Sequence, residues 1–354
     1  MSGRAQPGRL VVFTDQTDID LEPARAYLAD QGFSSLCLSL DRDTQVPAAA
    51  RAAVGGIVGY AQIGPAVMDQ LPNLRVLATT STGADMVDAA AAEARGVVVL
   101  PMADASTEEV AAHTVALVLS AIRRLDHGRE VVRQGGWTEQ VGQVPPALSQ
   151  MTLGLVGFGR IGRKVADYLG PMVGAVLAAD PAAEPAKAGA APNPADAASP
   201  ARATNPARDA GPARRAQPTG WIGPAVRLAG LPEVLACSDI ISLHLPLTGE
   251  TEHLIDAAAL AAMKDGTLLV NVSRGRLVDS QAVLAALESG RLAAYCADVA
   301  DCEPPLAGDP LLFHPRTIAT PHMAFLSTAS LERYQLDPAR NLVNWLKRQG
   351  GDTA

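Results

Sequence analysis

The chain is poor in aromatic residues, poor in cysteine, short of positive charge and without a long apolar run. Phenylalanine, tryptophan and tyrosine make up 4% of its 354 residues, against 48% for hydrophobic residues of all kinds. Apolar material for a core is therefore ample, and alanine supplies much of it. The 4 cysteines, Cys37, Cys237, Cys296 and Cys302, show no paired spacing of the zinc or redox kind. No metal is expected, and the thiols read as inert groups in a reducing compartment. No apolar stretch reaches transmembrane length, and Met1 to Arg9 carries no apolar signal-peptide core, so a cytoplasmic location is the expectation. Lysine and arginine number 29 against 37 aspartates and glutamates, a formal charge of −8. That balance opposes nonspecific binding to nucleic acid or anionic membranes, and neither partner is expected.

What the chain does have is a glycine-rich turn between an apolar run and a helical pattern. Met151 to Val156 is long enough for a buried strand. Gly157 permits a tight turn, Gly159 lets the backbone approach a pyrophosphate, and Gly162 lets the following helix pack close on the strand. The helix starting near Arg160 would offer unpaired N–H groups and its positive dipole end to the phosphates. A second apolar run, Ala175 to Ala179, ends in Asp180, about where an acidic residue meets a ribose 2′-hydroxyl. A carboxylate there repels a 2′-phosphate, and Pro181 and Ala182 follow it rather than an arginine, so NAD is favoured over NADP.

Three polar residues follow three further apolar runs. Leu268 to Val272 reads as a buried strand and is followed by Arg274, whose guanidinium could grip a carboxylate through two N–H bonds and polarise a carbonyl oxygen. Ala293 to Val299 leads to Glu303, and Ile318 to Pro321 delivers His322. Histidine titrates near neutrality and can exchange the proton of a carbonyl/alcohol pair, and a neighbouring carboxylate favours the imidazolium. Taken singly, these are an ordinary surface arginine, a loop glutamate before Pro304 and a structural histidine beside proline. Together, at strand ends behind a dinucleotide loop, they point to one ligand site.

This combination, LGLVGFGRIGRKV from Leu153, NVSRGRLVD from Asn271, DVADCEP from Asp298 and TPHMAF from Thr320, resembles the D-isomer-specific 2-hydroxyacid dehydrogenases, the branch of phosphoglycerate dehydrogenase and hydroxypyruvate reductase included. The resemblance implies an α/β protein of two doubly wound parallel-sheet domains, a flavodoxin-like substrate domain and a Rossmann NAD-binding domain. It implies hydride transfer between NAD(H) and a small D-2-hydroxy acid or 2-oxo acid, with Arg274, Glu303 and His322 as the catalytic residues. The cofactor would be held at Gly157, Phe158, Gly159, Arg160, Ile161, Gly162 and Asp180. On the nicotinamide side the matching positions are His244, Pro246 and Thr251, within HLPLTGET, together with Val272, Ser273 and Asp298. Substrate contacts fall to Tyr60, Thr82 and Gly83 beside Arg274 and His322. A homodimer through the cofactor domain is implied as well. An alternative of another class is an NAD-sensing binding protein of the corepressor type, which some relatives are, although nothing basic in the termini supports it.

Two departures from the family pattern bear on function. The phosphoglycerate branch carries an Arg-Ser pair for a charged substrate tail after the strand Gly56–Val58, where this chain has Gly59-Tyr60-Ala61-Gln62. That puts a phosphorylated substrate in doubt. From about 181 to 223 an insertion rich in alanine, proline and arginine interrupts the cofactor domain, and its composition predicts disorder.

The remaining layout alternates strands and helices. Leu10–Phe13, Leu36–Leu40, Gly56–Val58, Val76–Thr79 and Val97–Leu100 read as parallel strands of a first domain. Thr107 to Arg133 reads as one long helix that opens on Ser106 and Glu109 as a capping box. Ser327 to Gln349 reads as a helix returning to the first domain. The expected division is 1–103 with 322–354 for the substrate domain and 104–321 for the cofactor domain.

Overall fold

A computed structural model describes residues 9–15, 19–40, 45–142, 144–180 and 225–350. The insertion expected over 181–223 lies outside the described residues. The chain divides into two compact units, Met1–Glu109 with Phe325–Ala354, and Val110–Ala324.

The first unit is a five-stranded parallel sheet. Its strands are β1 (Leu10–Phe13), β2 (Ser34–Cys37), β3 (Ala53–Val58), β4 (Val76–Thr79) and β5 (Val98–Leu100), in the order β2-β1-β3-β4-β5. Residues of β1, β3 and β4 are buried throughout, as continuous apolar runs covered on both faces should be. One face packs on the helices Glu22–Asp30 and Thr328–Gly350 through Leu28, Ala339, Leu342 and Val343. That packing is close: a Cβ on Gly55 would lie 2.9 Å from Leu342 Cδ1.

Two expected elements are corrected here. The second strand is Ser34–Cys37 rather than Leu36–Leu40. Leu38 and Leu40 are buried and their N–H groups bond Phe13 and Thr14, which explains their apolar signal, but the regular ladder has ended at Cys37. The long helix is broken in two, Thr107–Arg123 and Leu125–Arg133, by Arg124 in the left-handed region at φ 53°. Arg124 Nη1 donates to the Val141 carbonyl at 3.1 Å, a tertiary anchor that hydrophobic periodicity does not carry. The two capping-box side chains turn to the C-terminal segment: Ser106 Oγ lies 2.9 Å from Tyr334 Oη, and Glu109 accepts from Ser327 Oγ at 2.7 Å.

The second unit is a seven-stranded parallel sheet. Its strands are β6 (Thr152–Val156), β7 (Ala175–Ala179), β8 (Val226–Leu228), β9 (Ile240–Leu243), β10 (Thr267–Asn271), β11 (Leu292–Ala297) and β12 (Thr317–Ala319). The order is β12-β11-β10-β9-β6-β7-β8. The chain runs outward from β6 to β8, returns to lay β9 against the other side of β6, and continues outward to β12. Strand order therefore reverses at β6 and β9, and such a switch point opens a crevice at the carboxyl ends of the strands. The last three strands each end one or two residues before the expected limits, so Arg274, Glu303 and His322 all lie in the loops beyond them. Among the described residues, no helix is long and apolar enough to cross a membrane.

Candidate active site

The turn after β6 uses its glycines for three separate reasons. Gly157 has φ 95°, and a Cβ there would also lie 2.5 Å from the His244 carbonyl oxygen. Gly162 abuts the same turn, where a Cβ would come within 2.3 Å of Gly157 O. Gly159 precedes the helix Arg160–Leu169, and a Cβ on it would meet nothing within 4 Å. The backbone thus faces open space where the helix begins and its first N–H groups, those of Arg160 and Ile161 included, lack intrahelical acceptors. At the end of β7, Asp180 accepts the Phe158 N–H at 3.0 Å, which fixes its carboxylate beside the turn.

His244 lies under this loop. Its N–H bonds Val156 O at 2.7 Å, its Nε2 is 2.9 Å from Ser242 Oγ, and burial pushes its pKa down to about 3, so the ring is neutral. Its Nδ1 is buried with no hydrogen-bond partner among the described residues. Thr251 closes the following loop, accepting the Thr248 N–H at 2.8 Å and donating to the exposed Pro246's carbonyl at 2.7 Å. The open space at Gly159, the acid beside the turn and the orphaned imidazole nitrogen together fit a dinucleotide with free ribose hydroxyls.

After β10 the buried side chain of Asn271 shapes the turn. Its Nδ2 donates to Arg274 O at 2.8 Å and its Oδ1 accepts the Ser273 N–H at 3.1 Å, while Ser273 Oγ donates to Leu243 O at 2.8 Å. Val272 is buried beneath them. Gly275 then lies against the next loop: a Cβ on it would fall 2.1 Å from the carbonyl carbon of Ala300. This close approach brings the Arg274 turn to the Ala300–Glu303 loop. Glu303 is held at both oxygens, Oε1 accepting the Ala300 N–H at 2.9 Å and Oε2 lying 2.5 Å from His322 Nδ1.

The electrostatics of this group are coupled. Burial acts to lower the His322 pKa, but the hydrogen bond to Glu303 and the charges of Glu303 and Asp298 outweigh it and the nearby Arg274 cation, so the net shift is upward. Burial acts to raise the Glu303 pKa, yet the His322 hydrogen bond and charge, the Ala300 N–H and Arg274 bring it below its ordinary value. The geometry therefore favours an imidazolium–carboxylate pair within reach of a guanidinium.

Asp298, buried at the end of β11, points its carboxylate at the turn that carries His322. Oδ1 accepts from Thr320 Oγ1 at 2.5 Å and from the Met323 N–H at 2.9 Å, and Oδ2 accepts the Ala324 N–H at 2.8 Å. His322 itself has φ 50°, a left-handed conformation that costs a non-glycine residue on the order of 1 kcal/mol or more.

In the first unit, Tyr60 is 55% exposed in the loop after β3, and Thr82 is exposed in the loop after β4, where Ser81 Oγ donates to Gly83 O at 2.6 Å. Sequence reasoning missed Asp15, whose carboxylate accepts the N–H groups of Gly59, Tyr60 and Ala61 at 3.0, 2.5 and 3.1 Å. It also missed the structural use of Asn271 and of Thr320. Their only signal was a polar residue at the end of a buried strand.

A family model described as D-isomer specific 2-hydroxyacid dehydrogenase, NAD binding domain, matches residues 115–202 and 215–324. A glyoxylate reductase of Thermofilum pendens is 32% identical over 289 residues, 81% of this chain and 76% of that protein. A D-3-phosphoglycerate dehydrogenase of Archaeoglobus fulgidus is 31% identical over 281 residues, 79% of this chain and 47% of that protein, so this chain spans about half its length. A solved structure of D-lactate dehydrogenase from Aquifex aeolicus, complexed with NAD and lactic acid, is 26% identical and superposes with a TM-score of 0.77 over 97% of both chains.

Proposed function

The chain belongs to the D-isomer specific 2-hydroxyacid dehydrogenase family, and from that premise we propose that it reduces a small, unphosphorylated 2-oxo acid with NADH, His322 supplying the proton. The observation that carries this is the 2.5 Å contact of His322 Nδ1 with Glu303 Oε2, in a loop cluster that also holds Arg274. A nicotinamide dinucleotide held at the Gly157–Gly162 turn and Asp180 would bring the hydride chemistry. The protein's own groups do the rest. Because Nδ1 is committed to Glu303, the proton passes between Nε2 and the substrate oxygen, and Glu303 keeps the imidazolium available near neutral pH. Arg274 orients the substrate carboxylate and draws charge from its 2-oxo group. Tyr60, Thr82 and Gly83 supply further substrate contacts, which makes 1–109 with 325–354 the substrate-side unit and 110–324 the cofactor unit.

Substrate size follows from the loop after β3. Its three N–H groups form a concave donor set suited to an anion, and Asp15 already occupies it. No arginine stands at 59–62 to receive a phosphate. The relatives do not separate the two substrate classes, a glyoxylate reductase being 32% identical and a D-3-phosphoglycerate dehydrogenase 31%, so the loop carries this choice. The corepressor alternative has no comparable support, since the relatives named above are reductases and dehydrogenases. The test is a panel of glyoxylate, hydroxypyruvate, pyruvate, phenylpyruvate and 3-phosphohydroxypyruvate scored by NADH loss. A small unphosphorylated acid should have the highest kcat/KM, and 3-phosphohydroxypyruvate ranking first would overturn the assignment.

A homodimer is part of the same proposal. Leu125 and Val132 in the helix Leu125–Arg133 are each 57% exposed and Trp137 just beyond is 72% exposed, apolar surface of the kind that a second copy covers. Light scattering that gives the monomer mass at micromolar concentration would refute it.

A further inference from the structure

The turn bearing His322 is held by more than Asp298. Thr320 Oγ1 lies 2.5 Å from Asp298 Oδ1 and 2.9 Å from His113 Nε2, on the helix Thr107–Arg123. A hydroxyl has one proton, and an ionised carboxylate can only accept. The Thr320 proton therefore goes to Asp298, and His113 must donate from Nε2, which fixes its tautomer. His113 Nε2 is also 3.5 Å from Asp298 Oδ1, with its side chain 18% exposed and that of Asp298 1%. The result is a directed chain: His113 Nε2–H to Thr320 Oγ1, Thr320 O–H to Asp298, and the N–H groups of Met323 and Ala324 to the same carboxylate. His322 lies inside this loop, its own N–H bonded to Thr320 O at 3.0 Å and its φ at 50°. An uncommon backbone conformation persists only where its surroundings over-determine it. Here both flanks of the turn are tied to one buried carboxylate, and that carboxylate is oriented through Thr320 from the helix.

We propose that His113 and Thr320 are positioning residues that hold the His322 turn in register with Glu303. Neither touches the reacting atoms in this scheme. The inference rests on His322 being the acid. The groups that set the His322 charge are Glu303 and Asp298, which favour the imidazolium, and Arg274, which opposes it. His113 faces the Asp298 side of the network. Loosening the turn lengthens the Glu303 contact first, since that pairing depends on where the ring is aimed.

Four single variants at the two positions, one double variant and His322→Ala, each in the full chain with NADH and its best 2-oxo acid, test this. Thr320→Val should lower kcat by about tenfold or more, leave KM for NADH within roughly twofold, and move the pH profile of reduction to lower pH. Thr320→Ser, which keeps the hydroxyl, should restore both rate and profile. His113→Leu should reproduce part of the loss, and its effect should vanish when added to Thr320→Val, because the two act through one chain. His113→Gln, which can still donate from the distal nitrogen, should recover most of it. The inference is overturned if Thr320→Val keeps wild-type rate and pH profile, if serine fails to rescue, or if the His113 and Thr320 effects simply add. His322→Ala separates the two levels. If that variant turns over normally, the assignment of the acid has failed; if it is inactive while the Thr320 and His113 variants are normal, only the positioning chain has.

Discussion

His322 Nδ1 faces Glu303 Oε2 at 2.5 Å, and the two titrations are pushed apart, histidine up and glutamate down. Reduction needs the imidazolium, so its rate should hold at low pH and fall as pH rises through the raised histidine pKa. Oxidation of the alcohol needs the neutral ring and should rise over the same window. Glu303→Gln removes the charge that favours the imidazolium, and both profiles should move to lower pH. Initial rates in both directions across about pH 5 to 10, which brackets the ordinary histidine value near 6.5 and leaves room above it for an upward shift, give the comparison; profiles that do not move would remove Glu303 from the mechanism.

Cofactor choice should follow Asp180. Its carboxylate is fixed at the glycine turn by the Phe158 N–H. A 2′-phosphate brought there would meet a like charge, and NADH should exceed NADPH in kcat/KM by about tenfold or more, equivalent to about 1.4 kcal/mol. Asp180→Ala should narrow the gap mainly by improving NADPH. Equal rates with both cofactors in the parent protein would refute this.

Gly275 is required by crowding rather than by its φ. Any side chain there meets the Ala300–Asp301 backbone at 2.1 to 2.4 Å. Gly275→Ala must therefore part the Arg274 turn from the Glu303 loop. Since a displacement near 1 Å can cost roughly 10²-fold in rate, kcat should fall by about that factor, while NADH affinity, to which the β6 turn contributes as well as Val272 and Ser273, should fall much less. A fluorescence titration of NADH alongside kcat separates the two effects, and an unchanged kcat would show that the loops tolerate parting.

Much of this was legible in the sequence because it rests on local signals. Buried parallel strands are continuous apolar runs, and the glycines, Arg274, Glu303 and His322 stand at fixed offsets from their ends. What escaped the sequence depends on tertiary partners. The break at Arg124 has no glycine or proline to announce it and is held by the Val141 carbonyl. Leu38 and Leu40 are buried like strand residues although the ladder has ended, so burial pattern and hydrogen-bond pattern part company there. Asp15 and Thr320 look like ordinary polar residues until the loops they tie, distant in sequence, are brought beside them.

Asp15 gives the prediction that bears most directly on substrate. Its carboxylate satisfies three consecutive N–H groups at the end of β3 and is itself held by Thr14 Oγ1 at 2.6 Å. If the loop discriminates against charged tails, two changes should act in opposite ways. Tyr60→Arg adds a cation without disturbing the Asp15 bonds, which use only the backbone of residue 60, and should raise kcat/KM for 3-phosphohydroxypyruvate relative to glyoxylate by about tenfold, the scale of one partly exposed charge-assisted hydrogen bond. Asp15→Ala instead leaves the loop's N–H groups without their acceptor and should lower Tm, with a cost of roughly 1–3 kcal/mol if water cannot replace the carboxylate. Inorganic phosphate or sulfate should recover part of that Tm in Asp15→Ala and not in the parent protein, because the emptied donor set can then take an external anion. If Tyr60→Arg leaves the substrate ratio unchanged, residue 60 does not face the substrate tail, and the preference for a small acid must come from elsewhere in the chain.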